Sequence, residues 1–233
     1  MEQTETKGKL RVVSSRGEPF SDRVEAGKLL AAELQNYRDS RPVVLGIPRG
    51  GVIIAEKIAR SLDTDLDIIL THKLSAPLNR ELAIGAVSED GRHFIINDIA
   101  FGSGADARFI DEEKTRQMQE LKRKVSLYRA VLPKISLQGR TVIATDDGIA
   151  TGSTMQAALW ALWREKPKMV VLALPVGPPG TIVCLSAAAD ETVCLWTPHE
   201  FHALGQFYKS FPQVEDDELL KILEKESKRR NTK

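Results

Sequence analysis

The chain has 233 residues, of which 42% are hydrophobic and 28% are charged, and its formal net charge is +1 at pH 7. A chain of this length and composition can bury one sizeable core, and it is short for two independent domains. The near-neutral charge gives no reason to expect nucleic acid or a membrane surface as a partner.

The first part of the chain places a glycine-rich loop between a strand and a helix. Residues 1–15 are polar and are expected to be loose, and apolar positions at helical spacing predict an amphipathic helix over residues 23–37. Residues 43–47 are apolar and predict a buried strand, which residues 48–51 (Pro-Arg-Gly-Gly) connect to a second helical pattern. Two glycines let the backbone approach a ligand, and the Arg49 guanidinium suits phosphate oxygens.

The next segment predicts a strand followed by a hairpin. Residues 67–71 indicate a strand that ends near Lys73, and a polar connection containing a proline follows. Residues 82–87 and 93–96 indicate two short strands, joined through an Asp-Gly pair that is typical of hairpin turns. Because Lys73 is placed where a strand ends, we expect it to face a ligand site.

The most informative segment is residues 141–154, in which an apolar strand is followed by two adjacent carboxylates, Asp146 and Asp147, and then by hydroxyls and glycines. A helical pattern begins near Thr154. At such a junction the backbone N–H groups of residues 151–154 can point together at the positive end of the helix and hold a phosphate monoester. Carboxylates accept hydrogen bonds from vicinal hydroxyls and can reach Mg²⁺ through its waters. The segment therefore predicts a site for a phosphorylated sugar.

Alternation of strands and helices predicts the fold class. Strands are expected near residues 43, 67, 141, 168 and 192, and a long charged helix is expected over residues 106–130. This order is typical of an α/β protein with a doubly wound parallel sheet, in which ligand loops lie at the carboxyl ends of strands. Both the Arg49 loop and the Asp147 loop fall there.

The motif in residues 141–154 resembles the signature for 5-phosphoribosyl 1-diphosphate (PRPP) of type I phosphoribosyltransferases. Further pieces occur in the order found in a widespread, poorly characterised bacterial subgroup and extend the resemblance over most of residues 20–220: residues 20–23, 26–27, 48–51 and 81–87. One departure is informative. Enzymes of the family that use hypoxanthine or guanine carry a further acid two residues before the Thr-Gly of the signature, and here that slot is Gly148-Ile149-Ala150. The acceptor therefore stays open.

The resemblance implies a small hood, a flexible hairpin insertion that closes over the site, and a role for individual residues. Asp146 and Asp147 would hold the ribose hydroxyls, and Arg49 and Lys73 would contact the leaving diphosphate, with Arg80 as a further cation. The implied catalytic residues are Arg49, Lys73, Asp146 and Asp147. The implied substrate-binding residues are Gly50, Gly51, Asp146, Asp147, Gly148, Ala150, Thr151, Gly152, Ser153 and Thr154. Mg²⁺ would be carried with PRPP, so no metal ligand is assigned.

The predicted reaction is Mg²⁺-dependent phosphoribosyl transfer from PRPP to a nitrogenous acceptor with release of diphosphate, as in nucleotide salvage. The expected partners are small-molecule substrates, with no nucleic acid and no membrane, and a homo-oligomer is left open. Two alternatives remain. One is a non-catalytic regulatory protein of the same fold that senses PRPP or a nucleotide, and the other is a phosphatase or hydrolase that acts on a sugar phosphate.

The sequence also gives expectations for the domain boundaries and for the cellular location. We expect a phosphoribosyltransferase-like domain over residues 16–220 between the loose segment and a charged, solvated tail over residues 221–233. Nothing near Met1 has the character of a signal peptide, and no apolar run approaches membrane-spanning length. The two cysteines lack a Cys-x-x-Cys spacing and lie among apolar residues, which indicates reduced thiols. We therefore expect a cytoplasmic protein.

Overall fold

The computed structural model describes residues 8–14 and 17–232 of the chain. Its strands are β1 (Lys9–Ser14), β2 (Val43–Gly46), β3 (Asp65–Ile68), β4 (Thr71–Ser75), β5 (Ala83–Ser88), β6 (His93–Ile95), β7 (Thr141–Thr145), β8 (Met169–Val176) and β9 (Glu191–Trp196). Its α-helices are α1 (Arg23–Glu33), α2 (Gly50–Leu62), α3 (Asn97–Gly102), α4 (Ala107–Arg129), α5 (Ser153–Arg164), α6 (Pro179–Ser186) and α7 (Asp216–Arg230). None of these helices is long and apolar enough to cross a membrane.

A six-stranded sheet in the order β1-β9-β8-β7-β2-β3 forms the centre, and all of its neighbouring strands are parallel. Strands β2 and β7 are buried along their whole length, as expected where helices cover both faces of a parallel sheet. One apolar cluster contains Leu30 of α1 and Ile54 of α2, and a second contains Leu159 of α5 and Ile182 of α6. The predicted α/β class with a parallel sheet is therefore confirmed.

A small antiparallel sheet in the order β4-β5-β6 packs with α4 around a third apolar cluster, which includes Leu74, Ile84 and Leu121. The hairpin predicted through Asp90-Gly91 is present: Gly91 has φ +83° and its N–H donates to the Ser88 carbonyl at 3.0 Å. The single strand predicted over residues 67–71 is wrong. The chain leaves the large sheet after Ile68 and enters the small sheet at Thr71, so two strands replace one.

The N-terminal segment departs from the loose conformation expected for residues 1–15. Residues 9–14 form β1, which pairs with β9 at the edge of the large sheet in the register Leu10↔Thr192. The side chain of Arg11 also forms an ion pair with Glu33 at the end of α1. An edge strand needs pairing on one side only, so a polar sequence can form it. Residues 1–7 and 15 lie outside the described residues.

The C-terminal segment also departs from expectation, since the charged tail predicted over residues 221–233 continues helix α7 up to Arg230. Leu223 is fully buried, and Glu226 accepts a hydrogen bond from the Leu66 backbone N–H at 3.0 Å. Arg229 donates to the Thr64 carbonyl at 2.7 Å. The charged residues thus cover the open edge beside β3, where backbone groups need partners.

Candidate active site

The loops that follow β2 and β7 meet at the carboxyl edge of the sheet. These strands are neighbours in the register Gly46↔Thr145, and the chain order reverses between them, which is where α/β proteins bind ligands. The approach is close: a Cβ placed on Gly50 would lie 1.9 Å from Asp147 Oδ2, and one on Gly51 would lie 2.8 Å from the Asp146 Cα. The structure therefore brings the two sequence-predicted loops into contact, and only glycine fits at Gly50.

Asp146 and Asp147 form a buried pair of carboxyl groups at this point. The Asp147 N–H donates to Asp146 Oδ1 at 2.8 Å. Burial raises the pKa of Asp146 well above its usual value, and the charge of Asp147 raises it further. Burial also raises the pKa of Asp147, while a guanidinium hydrogen bond from Arg23 opposes that rise. A ligand that offers hydroxyl donors would compensate for the burial of these charges.

Arg23 of α1 is the cationic partner of the acid pair. Its Nε lies 2.7 Å from Asp147 Oδ2, its Nη1 donates to the Pro212 carbonyl at 2.8 Å, and its guanidinium lies 3.7 Å from the Phe211 ring centroid. Sequence reasoning assigned no role to this residue. From the sequence alone, an arginine in the first turn of a helix that is buried in an ion pair looks the same as one that is exposed to solvent.

The segment over residues 201–212 covers the acid pair from the other side. The Tyr208 hydroxyl donates to the Asp147 carbonyl at 2.6 Å, and Leu204 packs so closely on Gly148 that a Cβ there would lie 2.2 Å from it. Residues 17–22 join this cover, since the Phe20 N–H donates to the Phe207 carbonyl at 2.9 Å. The sequence resemblance implied a hood, but sequence reasoning did not assign Tyr208 or Leu204 to it.

The loop of residues 148–154 leads into α5 as the sequence predicts. Gly152 precedes the helix with φ +78° and has no side chain that could cap it, and the Ser153 N–H makes a long contact of 3.5 Å with Thr151 Oγ1. The first N–H groups of an α-helix lack partners within the helix, so this end of α5 suits an anion site. The hydroxyls of Thr151 and Ser153 lie 3.1 Å apart at the mouth of the loop. Ala150 contributes its carbonyl, which accepts from the Thr181 hydroxyl at 3.1 Å.

Lys73 reaches this loop from strand β4. Its Nζ donates to Ser153 Oγ at 3.0 Å. Glu81, which sequence reasoning missed, lies 3.4 Å from the same Nζ and accepts from the Thr151 hydroxyl at 3.1 Å. A carboxylate therefore occupies the mouth of the loop.

Arg80 lies at the exposed tip of the β4–β5 connection, and among the described residues its side chain has no hydrogen-bond or ion-pair partner.

The Arg49 side chain contacts the start of α7. Its Nη1 lies 3.3 Å from Glu215 Oε2 and 3.8 Å from Asp216 Oδ1. The Glu215 side chain is 66% exposed, so this pair is in contact with solvent. Arg49 thus lies beside the site with its guanidinium held by an exposed acid.

A family model described as the phosphoribosyl transferase domain matches residues 23–194 of the chain. The chain belongs to the phosphoribosyltransferase family. The match confirms the predicted family, and residues 23–194 contain both loops and the acid pair.

Two curated relatives of this chain come from Mycobacterium tuberculosis, strains CDC 1551 / Oshkosh and ATCC 25618 / H37Rv, and each is named "Putative phosphoribosyl transferase". Each is 41% identical over 206 residues, which cover 88% of this chain and 46% of the relative. The chain spans about half the length of the curated relatives it matches. A solved structure, TT1426 from Thermus thermophilus, superposes with a TM-score of 0.83 at 41% identity over 89% of this chain and 98% of that one.

Within the described part of the chain, no group of three or more acidic, histidine or cysteine side chains is arranged to hold a metal ion. Asp146 and Asp147 offer hard oxygen atoms next to the loop of residues 148–154, which suits an ion that keeps most of its own waters. The donor set therefore fits Mg²⁺ carried in with a phosphorylated substrate.

Proposed function

We propose that the chain is a catalytically active phosphoribosyltransferase that transfers the phosphoribosyl group of PRPP to a nitrogenous acceptor and releases diphosphate. The observation that carries the proposal is the contact between the two loops, in which Gly50 approaches the Asp147 carboxylate and α5 begins beside it at Gly152, which has no capping side chain. Such an edge offers a hydroxyl-binding acid pair between two anion-binding loops, and PRPP has a diol between two phosphoryl groups.

Each group of PRPP would bind a different part of this edge of the sheet. The 5-phosphate would take hydrogen bonds from Thr151, Ser153 and the first backbone N–H groups of α5. The ribose hydroxyls would donate to Asp146 and Asp147, whose orientation is set in advance by Arg23 and Tyr208. Arg49 and Lys73 would neutralise charge on the diphosphate.

The chemical step would break the bond between the anomeric carbon and the diphosphate oxygen while a nitrogen lone pair forms the new bond. The electron pair leaves with the diphosphate, and the acceptor nitrogen loses its proton. Charge on the sugar becomes positive in an oxocarbenium-like transition state, so the ionised carboxylates of Asp146 and Asp147 favour it. Mg²⁺ bound by the substrate would stabilise the leaving diphosphate. We assign no general base.

The test is calorimetric titration of the purified protein with PRPP and Mg²⁺, followed by assay of diphosphate release with a panel of bases and amines. We expect the double variant Asp146→Asn/Asp147→Asn to lose at least about 100-fold in affinity, since two charge-assisted hydrogen-bond acceptors are lost. Asp39→Asn, which changes an exposed carboxylate away from the site, serves as the matched control.

Each other outcome identifies a different function. Binding without turnover of any acceptor would favour the regulatory sensor, and release of inorganic phosphate would favour the hydrolase. Absence of PRPP binding by the unaltered protein, or equal binding by the double variant, would contradict the proposal. Nucleotide salvage, cytoplasmic location and homo-oligomer formation stay predictions from the sequence.

A further inference from the structure

The connection between β4 and β5 reaches from the small sheet to the start of α5. Both strands pack on α5, and the rings of Phe94 in β6 and Trp160 in α5 meet edge to face with their centroids 4.6 Å apart. From this base the connection carries Glu81 to the loop of residues 148–154, where its carboxylate accepts from the Thr151 hydroxyl at 3.1 Å. The small sheet therefore places an acid at the loop that is the candidate phosphate site of the large sheet.

Hydrogen bonds within the connection hold the backbone of Glu81 in place. Its N–H donates to Asn79 Oδ1 at 3.0 Å, as in an Asx turn. The Leu82 N–H donates to the Asn79 carbonyl at 3.1 Å, and the Ala76 N–H donates to the Leu82 carbonyl at 2.9 Å. An ordered turn thus presents the Glu81 side chain to the loop.

A chain of hydrogen bonds at the mouth of this loop ends on Glu81. Lys73 Nζ donates to Ser153 Oγ at 3.0 Å. An ionised carboxylate can only accept, so the single hydroxyl proton of Thr151 goes to Glu81. The 3.1 Å contact between the two hydroxyls must then use the Ser153 proton. Both hydroxyl protons are therefore already used within the protein, and a bound phosphate would have to take them over.

The same carboxylate also balances the charge of Lys73. Glu81 Oε2 lies 3.4 Å from Lys73 Nζ, and in the described part of the chain no other carboxylate is within ion-pair distance of that ammonium group. A phosphate monoester and an ionised carboxylate at the same donors repel each other, so each excludes the other from the loop. The Glu81 side chain is 63% exposed and that of Lys73 is 22% exposed. The acid can therefore move into solvent with little loss while the cation stays at the loop.

We propose that Glu81 is an autoinhibitory latch, whose carboxylate holds the β4–β5 connection on the loop of residues 148–154 until a phosphate group displaces it and releases the connection. The inference rests on the proposed function and deepens it, because it adds regulation to the same site. Coupling is reciprocal: the factor by which the Glu81 contact weakens phosphate binding is the factor by which bound phosphate weakens the contact. The first response to phosphate is thus opposite to that of a lid that tightens on its ligand.

The competition is tested by calorimetric titration of the full chain with ribose 5-phosphate. Glu81→Gln removes the charge and keeps the length of the side chain. We expect it to bind ribose 5-phosphate about fivefold more tightly, as loss of one exposed ionic competitor implies. High salt should reduce this gain, because screening weakens the repulsion. Glu224→Gln, the same exchange at an exposed position of α7, is the matched control and should leave the affinity unchanged.

Release of the connection is measured with a fluorescent label at position 78, because the Leu78 side chain is 97% exposed at the tip of the connection. Leu78→Cys is combined with Cys184→Ser, since Cys184 is exposed and Cys194 is buried. We expect the anisotropy of the label to fall when ribose 5-phosphate binds. In the Glu81→Gln background it should already be low without ligand. Thermal unfolding of each variant checks that the fold is retained.

Ribose 5-phosphate binding that Glu81→Gln leaves unchanged or weakens would overturn the latch, and so would a label anisotropy that the ligand raises or leaves unchanged. Absence of binding by both the unaltered protein and Glu81→Gln would also overturn it, since the loop would then hold no phosphate. Failure of the proposed function has a different signature. In that case Glu81→Gln would still tighten ribose 5-phosphate binding, while PRPP would give no diphosphate release with any acceptor.

Discussion

Two ion pairs flank the candidate active site and differ in their burial. In the first, the Arg23 and Asp147 side chains are 8% and 13% exposed and their atoms lie 2.7 Å apart. In the second, the Arg49 and Glu215 side chains are 33% and 66% exposed and lie 3.3 Å apart. Separating a buried pair leaves an uncompensated charge away from water, whereas an exposed pair contributes little and exchanges readily.

The difference in burial indicates that the loop after β7 holds its side chains in place, whereas the loop after β2 leaves its cation movable. The acid pair after β7 is set in its orientation before a substrate arrives, because Arg23 is itself fixed by Pro212 and by the Phe211 ring. The cation after β2 rests on an exposed acid and can turn to a ligand with little loss. A fixed acid pair suits recognition of ribose, and a movable cation suits a group that must leave.

The largest expected effect comes from breaking the buried pair with Arg23→Met. We expect the free energy of unfolding to fall by about 3–5 kcal/mol at pH 7, since Asp147 is left buried without a counter-charge. The substitution also raises the pKa of Asp147 further. The loss should therefore shrink as the pH falls and Asp147 becomes protonated. Urea unfolding at pH 7.5 and pH 5 measures both effects.

Arg49→Met is the matched control, because it removes the cation of the exposed pair. Its stability loss should stay below about 1 kcal/mol at both pH values. Equal losses for the two variants, or a loss for Arg23→Met that does not depend on pH, would contradict the contrast between the pairs.

Sequence alone predicted the parts of this site that local pattern determines. A strand, a glycine-containing loop and a helix follow one another within residues 43–62 and within residues 141–164, so both loops could be found without tertiary information. Their meeting followed from the rule that ligand loops lie at the carboxyl ends of parallel strands. The contact of Gly50 with Asp147 is the structural form of that prediction.

Contacts over long sequence distances could not be predicted in this way. Arg23 and Asp147 are 124 positions apart, and no periodicity connects them. His72 and Lys124 meet only because β4 and α4 pack together. The predictions for the two termini failed for a related reason. Strand β1 and helix α7 have polar sequences that indicate solvent exposure, but both are ordered by backbone partners that lie far away in the chain.

A second prediction concerns the stability that the fold loses when Asp146 ionises. Burial and the charge of Asp147 raise the pKa of Asp146. An acid whose pKa is higher in the folded state destabilises the fold when it ionises, and this penalty is complete above the folded-state pKa and absent below the unfolded-state value. Asp146→Asn should therefore raise the free energy of unfolding at pH 8, and the gain should shrink as the pH falls towards 4. PRPP affinity should fall at the same time.

Urea unfolding of this variant between pH 8 and pH 4 checks the sign. Asp39→Asn changes an exposed carboxylate and should show no such trend. An Asp146→Asn variant that is less stable than the unaltered protein at pH 8 would contradict this prediction. It would mean that groups within the fold already compensate the Asp146 carboxylate, so that no ligand is needed to do so.

The smallest expected effect concerns Glu215→Gln, which releases Arg49 from the exposed pair. We expect the free energy of unfolding to change by less than about 0.5 kcal/mol and PRPP affinity to rise about twofold, because Glu215 no longer competes for the guanidinium. Glu218→Gln, an exposed change in the same first turn of α7, controls for the general charge near the helix start. Calorimetry at low and high salt completes the comparison, since screening should remove the gain. A fall in affinity would show instead that Glu215 aims Arg49 at its ligand, and the exposed pair would then share the orienting role that distinguishes the buried one.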